Sequence, residues 1–259
     1  MKLKILVAVA LSAVLGLASA QTLTMAMAAQ PDTLDPQVTS ATAAFQVSKS
    51  IYDTLVEVAQ DGTIIPALAG TFSASDDGLS YTFNLVATSF HDGTPLDSTD
   101  VKATLERIMA EGTASPKRSE FAAITGIDTP DESTVVIHLS QPQPALLASL
   151  ASGWGAILPS EKLAEGHDFG NAPVGTGAFV FQSWLRDNAI TLSANPDYYK
   201  GAPQLAEVII RFVPDPAIQL QGLLTGEFNV ADTIAAADRE LVESNPALTM
   251  VEEPSGLAL

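Results

Sequence analysis

The run Pro173-Val174-Gly175-Thr176-Gly177-Ala178-Phe179 constrains the fold more than any other stretch of this 259-residue chain. Proline fixes φ and glycine dispenses with Cβ, so the run marks a tight backbone passage into the next element. That element alternates as a strand does, with Phe179, Phe181 and Ser183 on one face and Val180, Gln182 and Trp184 on the other. Arg186-Asp187-Asn188-Ala189 supplies a turn and Ile190-Thr191-Leu192-Ser193 a returning strand. Together they predict a β-hairpin over residues 178–194, ahead of the aromatic loop Asn195-Pro196-Asp197-Tyr198-Tyr199-Lys200-Gly201. Paired glycines can also cradle an anion, but no third glycine completes a dinucleotide fingerprint and no Gly-Lys-Ser/Thr comes after them as in a phosphate loop. The better reading is a structural turn between two segments.

At the N-terminus, Lys2 and Lys4 precede an apolar run from Ile5 to Leu17 and then Ala18-Ser19-Ala20, the pattern of a secretory signal peptide cleaved after Ala20. The run is too short to span a bilayer, and no later stretch reaches about 18 uninterrupted apolar residues, so no membrane insertion of the mature chain is expected. The chain has no cysteine, which excludes a disulfide scaffold and a lipid-modified cysteine anchor and points to a free periplasmic protein. Removing residues 1–20 takes away two lysines and no acids, leaving ten Lys and Arg against 30 Asp and Glu. Such an acidic chain is a poor partner for nucleic acid or anionic lipid.

Along the mature chain, Leu23, Met25 and Met27 alternate with Thr22, Thr24 and Ala26 as an early strand from Gln21 to Ala28, broken by Pro31-Asp32 and Asp35-Pro36. A helical pattern is expected from Ala44 to Val56, with Phe45, Val47, Ile51 and Leu55 inward. Short strands then alternate with the turn signals Asp61-Gly62, Asp77-Gly78 and Asp92-Gly93. Tyr81, Phe83 and Leu85 share a strand face; Ser98 or Thr99 caps a helix running to Met109 with Val101, Leu105 and Ile108 inward; a strand spans Thr134 to Leu139 and a short helix Pro144 to Leu150. Past the hairpin, a strand from Val208 to Val213, a helix from Ala217 to Leu224 ended by Gly226, a strand at Phe228-Asn229-Val230 and a helix from Asp232 to Ser244 suggest βαβ crossovers in a mostly parallel sheet. Leu248 to Leu259 reads as a last strand-like run.

Catalytic patterns are missing at this level. His91, His138 and His167 share no ligand spacing, so no metal site is expected; His91 reads as a turn residue and His138 as a satisfied sheet histidine. There is no Gly-x-Ser-x-Gly elbow, and a cysteine nucleophile is excluded. The chain reads as non-catalytic and without cofactor; a secreted hydrolase of unrecognised type is the alternative from another class.

The order Leu34-Asp35-Pro36, Tyr52-Asp53-Thr54-Leu55-Val56, Pro66-Ala67-Leu68-Ala69, Asp76-Asp77-Gly78-Leu79-Ser80-Tyr81-Thr82-Phe83 and Phe90-His91-Asp92-Gly93-Thr94-Pro95 resembles one family, and Pro173 to Phe179, Asn195 to Tyr199, Pro214-Asp215 and Leu224-Thr225-Gly226-Glu227 continue the likeness. It is similar to the solute-binding proteins of oligopeptide, dipeptide and nickel ABC importers, family 5 of the bacterial extracellular solute-binding proteins. That resemblance implies an α/β fold: a periplasmic binding protein-like (type II) lobe built from residues 21–50 and 174–259, an inserted α+β subdomain at 51–173, and, since the family is about twice this long, a second lobe missing from the chain. It further implies capture of a short peptide in the periplasm and delivery to the permease subunits of an ABC importer, or, with the same fold, binding of a nickel chelate, haem, a sugar or an opine. By position after Leu34-Asp35-Pro36 and after Gly226-Glu227, the ligand-facing residues are expected to be Ser40, Ala41 and Thr42 together with Ala231, Asp232 and Thr233.

Small residues at Ala18 and Ala20 suit signal peptidase, so intact-mass measurement of periplasmic material is expected to find a mature chain starting at Gln21; any other start refutes the cleavage site.

Overall fold

The early alternation places Gln21–Met27 (β1) at the heart of a five-stranded sheet in the computed structural model, which describes residues 21–251. The expected signal peptide and the end of the expected last strand lie outside the described residues, and residues 248–251 carry no strand. The remaining strands are Val56–Val58 (β2), Ile64–Pro66 (β3), Ala69–Ala74 (β4), Ser80–Leu85 (β5), Ile124–Asp131 (β6), Thr134–Leu139 (β7), Phe179–Leu185 (β8), Ala189–Ala194 (β9), Leu205–Phe212 (β10) and Val230–Ala231 (β11). The helices are Thr42–Ser48 (α1), Ser98–Met109 (α2), Leu146–Ala151 (α3), Ser160–Ala164 (α4), Pro216–Thr225 (α5) and Arg239–Ser244 (α6).

The large sheet runs β11-β1-β10-β9-β8. It is mixed, not mostly parallel: β1 pairs in parallel with β10 and β11, while β10, β9 and β8 form an antiparallel meander. The difference arises because the hairpin predicted at 178–194 joins the same sheet as the crossover strands. The four-stranded sheet β4-β5-β7-β6 is antiparallel throughout: short turns join β4 to β5 and β6 to β7, and β5 meets β7 across the segment that carries α2. Of the three Asp-Gly signals, Gly62 turns the chain between β2 and β3, Gly78 between β4 and β5, and Gly93 in the loop before α2; all three take positive φ, a region closed to most side chains.

Two hydrophobic cores result. One gathers Leu55, Tyr81, Phe83, Val101, Leu105, Ile108, Phe121, Val135, Ile137 and Leu146, so α2 buries the expected face on the four-stranded sheet. The other gathers Met27, Leu34, Val47, Ile51, Tyr52, Ile190, Leu192 and Ile210, together with Ala156, Leu158 and Phe169 returning from the intervening segment.

Four expectations need correction. The helix expected over Ala44 to Val56 is only Thr42–Ser48. Beyond it the chain extends because its backbone groups are claimed from outside: Gly177 N–H donates to Ile51 O at 2.9 Å, Ile157 N–H to Asp53 O at 3.0 Å, and Leu68 N–H to Thr54 O at 3.1 Å. Val47, Ile51 and Leu55 are buried as their spacing suggested, but on a path that is not helical past Ser48. The cap of α2 is Asp97, whose carboxylate accepts from Thr99 and Asp100 N–H while Asp100 closes a capping box, so Ser98 and Thr99 lie inside the helix. The strand expected at Phe228-Asn229-Val230 is only Val230–Ala231, since Phe228 turns inward against Gly222. The helix expected from Asp232 starts only at Arg239, after an extended stretch and a 3₁₀ turn at Ala236–Asp238.

The Pro-x-Gly-x-Gly run is the structural passage the sequence suggested. A Cβ on Gly175 would lie 2.2 Å from Ile51 O, and one on Gly177 2.5 Å from Ile51 C and 2.6 Å from Ser50 O. Both glycines are required by space, not by φ. Gly177→Ala is therefore expected to cost about 3 kcal/mol, because backbone must move on both sides, whereas Gly112→Ala, with open space around it, stays within about 0.5 kcal/mol. Urea midpoints at unchanged m decide the matter; a neutral Gly177→Ala refutes the close approach.

Candidate functional site

Ligands of open α/β sheets sit beyond the carboxyl ends of the strands, where neighbouring connections part. Here those ends belong to β1, β10 and β11. Val213 N–H donates to Met27 O at 2.8 Å and Asp232 N–H to Ala26 O at 3.1 Å, which brings the three strand ends together.

Asp232, one of the expected ligand residues, is occupied by this junction. Its carboxylate accepts Ala28 N–H at 3.0 and 3.1 Å and Gln219 Nε2 at 3.2 Å. Gln219, fully buried in α5, also donates to Val213 O at 2.8 Å and accepts Thr233 N–H at 3.3 Å. One carboxylate and one amide thus satisfy backbone groups of all three strand ends, the groups that would otherwise be left unpaired. Ala231 is half-buried and Thr233 exposed, and with Asp232 they line a hollow of about 460 Å³ walled by Leu223, Val242 and Met250.

The other expected set sits at the end of the long loop that leaves β1. Asp35, buried, takes a bidentate pair from Arg107 of α2 at 3.1 and 2.5 Å, and Arg107 also donates to Gln37 Oε1 at 2.8 Å. Gln37 Nε2 returns a bond to Thr104 O at 2.9 Å. A buried ion pair holds register only when its remaining groups are satisfied, and the two glutamine bonds do that here. Further on, buried Thr39 donates to Asp32 Oδ1 at 2.8 Å, accepts Ala41 N–H at 3.0 Å, and offers its carbonyl to Trp154 Nε1 at 2.8 Å. Ser40 and Thr42 emerge exposed, Ala41 half-buried, at the entry to α1.

The hollow at Ala231–Thr233 does not include Ser40, Ala41 or Thr42 among its lining residues. The chain itself joins the two sets: Asp232 grips Ala28, the first residue of the loop whose last residues are Ser40 and Ala41. Sequence reasoning did not single out Gln219, Arg107 or Trp154. The signals available were a lone glutamine in the apolar run Ala217-Ile218-Gln219-Leu220 and a tryptophan set between Gly153 and Gly155.

A second polar centre lies where the segments 51–56 and 174–201 meet. Asp53 accepts Thr176 Oγ1 at 2.9 Å and Tyr198 OH at 3.0 Å, and burial pushes its carboxyl above the usual range against both bonds. Burial, with Asp53 nearby, likewise pushes the Tyr198 and Tyr199 phenols well up. His91 donates N–H to Gly175 O at 2.8 Å and meets Gly177 O through Nε2 at 2.9 Å, and burial lowers its imidazole pKa. The histidine expected merely to pack a turn therefore latches the turn onto the glycine passage. His138 is paired with Asp128 on its strand at 2.9 Å. Among the described residues no three His, Cys, Asp or Glu side chains are grouped to hold a metal ion, and no helix is long and apolar enough to cross a membrane.

The sequence profile of the bacterial extracellular solute-binding proteins, family 5 (middle region), matches residues 63–258. The chain belongs to this family. A putative ABC transporter peptide-binding protein of Brucella ovis is 35% identical over 211 residues, covering 79% of this chain and 39% of its own length. Among solved structures, the binding protein AgaA of A. tumefaciens R10 in complex with agropinic acid superposes at a TM-score of 0.83 with 38% identity, covering 87% of this chain and 46% of AgaA. The periplasmic binding protein DppA of Helicobacter pylori, in complex with the peptide STSA, gives 0.80 and 28%, covering 87% and 49%. This family 5 chain therefore has the fold of part of a periplasmic binding protein and spans about half the length of the relatives it matches.

In this family 5 chain, Asp232→Ala is expected to cost about 2 kcal/mol by orphaning Ala28 N–H and one Gln219 donor. Asp77, in an exposed hairpin turn where it holds Ser75 and Leu79, is expected to matter less when truncated. The same order is expected for solute affinity in the full-length protein. Equal denaturation midpoints and equal affinities for the two variants refute the assigned role of Asp232.

Proposed function

We propose that this chain is the solute-capturing part of an ABC importer: exported, freed of residues 1–20, it takes a short peptide in the periplasm and delivers it to permease subunits in the inner membrane. The observation that carries the reading is the pairing of loops at the carboxyl ends of β1 and β11, one ending at exposed Ser40 and Thr42 and the other at Thr233, in a fold shared with the peptide-holding DppA. Residues 21–50 and 174–259 make the lobe bearing that face, and 51–173 the inserted subdomain; the core on the four-stranded sheet supports a distinct subdomain, while Ile51, Tyr52, Ala156, Leu158 and Phe169 of that span pack into the lobe's core. Exposed backbone around Ser40 and Thr233 suits an extended peptide, whose main chain supplies affinity without reading its side chains.

A second reading has its own support. AgaA, with higher identity than DppA, is complexed with agropinic acid, so an opine-type solute is the competing ligand class.

The test uses the protein in the full-length form its gene encodes. Denaturation of the freshly purified protein and mass spectrometry of the released material is expected to find di- to pentapeptides, and calorimetry with a pool of such peptides to give micromolar dissociation constants. Agropinic acid binding in place of peptides transfers the function to the opine reading; turnover of either probe without stoichiometric binding sinks both readings in favour of an enzyme.

A further inference from the structure

Trp154 stands apart from every other aromatic residue near the expected ligand segment because its surroundings are fully assigned. Its indole N–H donates to Thr39 O at 2.8 Å. Its ring meets Phe45 of α1 edge-on, with centroids 4.5 Å apart. The Lys117 ammonium sits over the ring at 4.9 Å from its centroid. The rest of the side chain packs against the core of the four-stranded sheet.

Each contact is itself fixed. Phe45 lies against Gly153, where a Cβ would fall 2.3 Å from its ring, so the glycine before Trp154 is what lets the two aromatic rings meet. Lys117 is held over the indole by Glu120 at 2.5 Å; the other Glu120 oxygen accepts Ser149 Oγ at 3.0 Å, and Gln143 Nε2 caps the Glu120 carbonyl at 2.8 Å. An ammonium over an indole face is attractive by the ring quadrupole, and more so when its stem is immobilised. On the far side, Thr39 is buried and its hydroxyl bridges Asp32 and Ala41 N–H, so its carbonyl moves only with the residues just after it.

We propose that Trp154 is a positioning residue for solute binding: rooted in the core of the intervening segment, it sets through the Thr39 carbonyl where Ser40, Ala41 and Thr42 stand. The proposal rests on the solute-binding reading above. With its N–H, edge and one face committed, Trp154 acts on the solute through the Thr39–Thr42 segment and not by stacking. It also makes the pose of that segment depend on Lys117, Glu120 and Gly153, so sequence changes at these positions alter affinity.

The experiment uses the full-length protein labelled with 5-fluorotryptophan, probed with the di- to pentapeptide pool and with agropinic acid in parallel. The ¹⁹F resonance that vanishes in Trp154→Phe is expected to shift in wild type when whichever probe binds reaches saturation, since the indole N–H senses the Thr39 carbonyl. Trp154→Phe, which keeps a ring and loses the donor, is expected to bind that probe about tenfold more weakly, while Trp184→Phe binds as wild type does. A resonance unmoved by bound solute overturns the proposal, as does unchanged affinity in Trp154→Phe. If Trp154→Phe does not fold, Lys117→Met identifies the signal by moving it in the free protein, and the saturation shift then decides. Wild type that binds neither probe sinks the solute-binding reading and this proposal with it, whereas binding without a Trp154 response sinks the proposal alone.

Discussion

Backbone against backbone, with nothing between, is the contact on which this molecule turns. At Gly175 and Gly177 the chain passes so close to Ile51 that no side-chain carbon fits, and the pass is sealed by Gly177 N–H to Ile51 O and Phe179 N–H to Ser50 O. Val174 packs on both cores, Asp53 binds Thr176 and Tyr198 from one side, and His91 binds both glycine carbonyls from the other. Hydrogen bonds converging from four segments make a joint that tolerates little rotation, because moving any one strands a buried polar partner of another.

Rigid seating there gives the strand-end loops something to be referred to. The loop after β1 is tied at its start by Asp232, in its middle by Arg107 to Asp35, and at its end by Trp154 to Thr39. Those three ties come from α5's neighbourhood, from α2 and from the segment after α3. A binding face built this way has its geometry dictated from both cores at once, which is how a loop with so little regular structure can keep a defined shape.

Much of the fold was legible because it rests on local chemistry. The hairpin at β8 and β9, the strand β7, the apolar face of α2 and the Asp-Gly turns come from alternation, i, i+4 spacing and positive-φ glycines, and each lies where those patterns put it. The two misplaced helices share one cause. The residues after Ser48 and after Ala231 have helix-compatible spacing, yet their backbone groups are claimed by residues far along the chain: Gly177 takes Ile51 O, and Ala26 O takes Asp232 N–H. No local window contains such partners. The same holds for the candidate site, where Ser40 to Thr42 and Ala231 to Thr233 were placed by motif position, while the side chains that hold them, Gln219, Arg107 and Trp154, touch them only across long separations.

The sheet's register also fixes an order of events. β1 is the first strand of the described residues, yet its partners are β10, with Gln21 opposite Leu205, and β11, with Met25 opposite Val230. Loop closure over so long a span is slow, whereas the hairpins β4-β5 and β6-β7 of the four-stranded sheet pair strands that are close in sequence. A chain emerging from its N-terminus thus carries β1 without its sheet partners until β10 and then β11 have emerged behind it. Met27, buried in the finished sheet, spends that interval uncovered and depends on late-arriving strands for its cover.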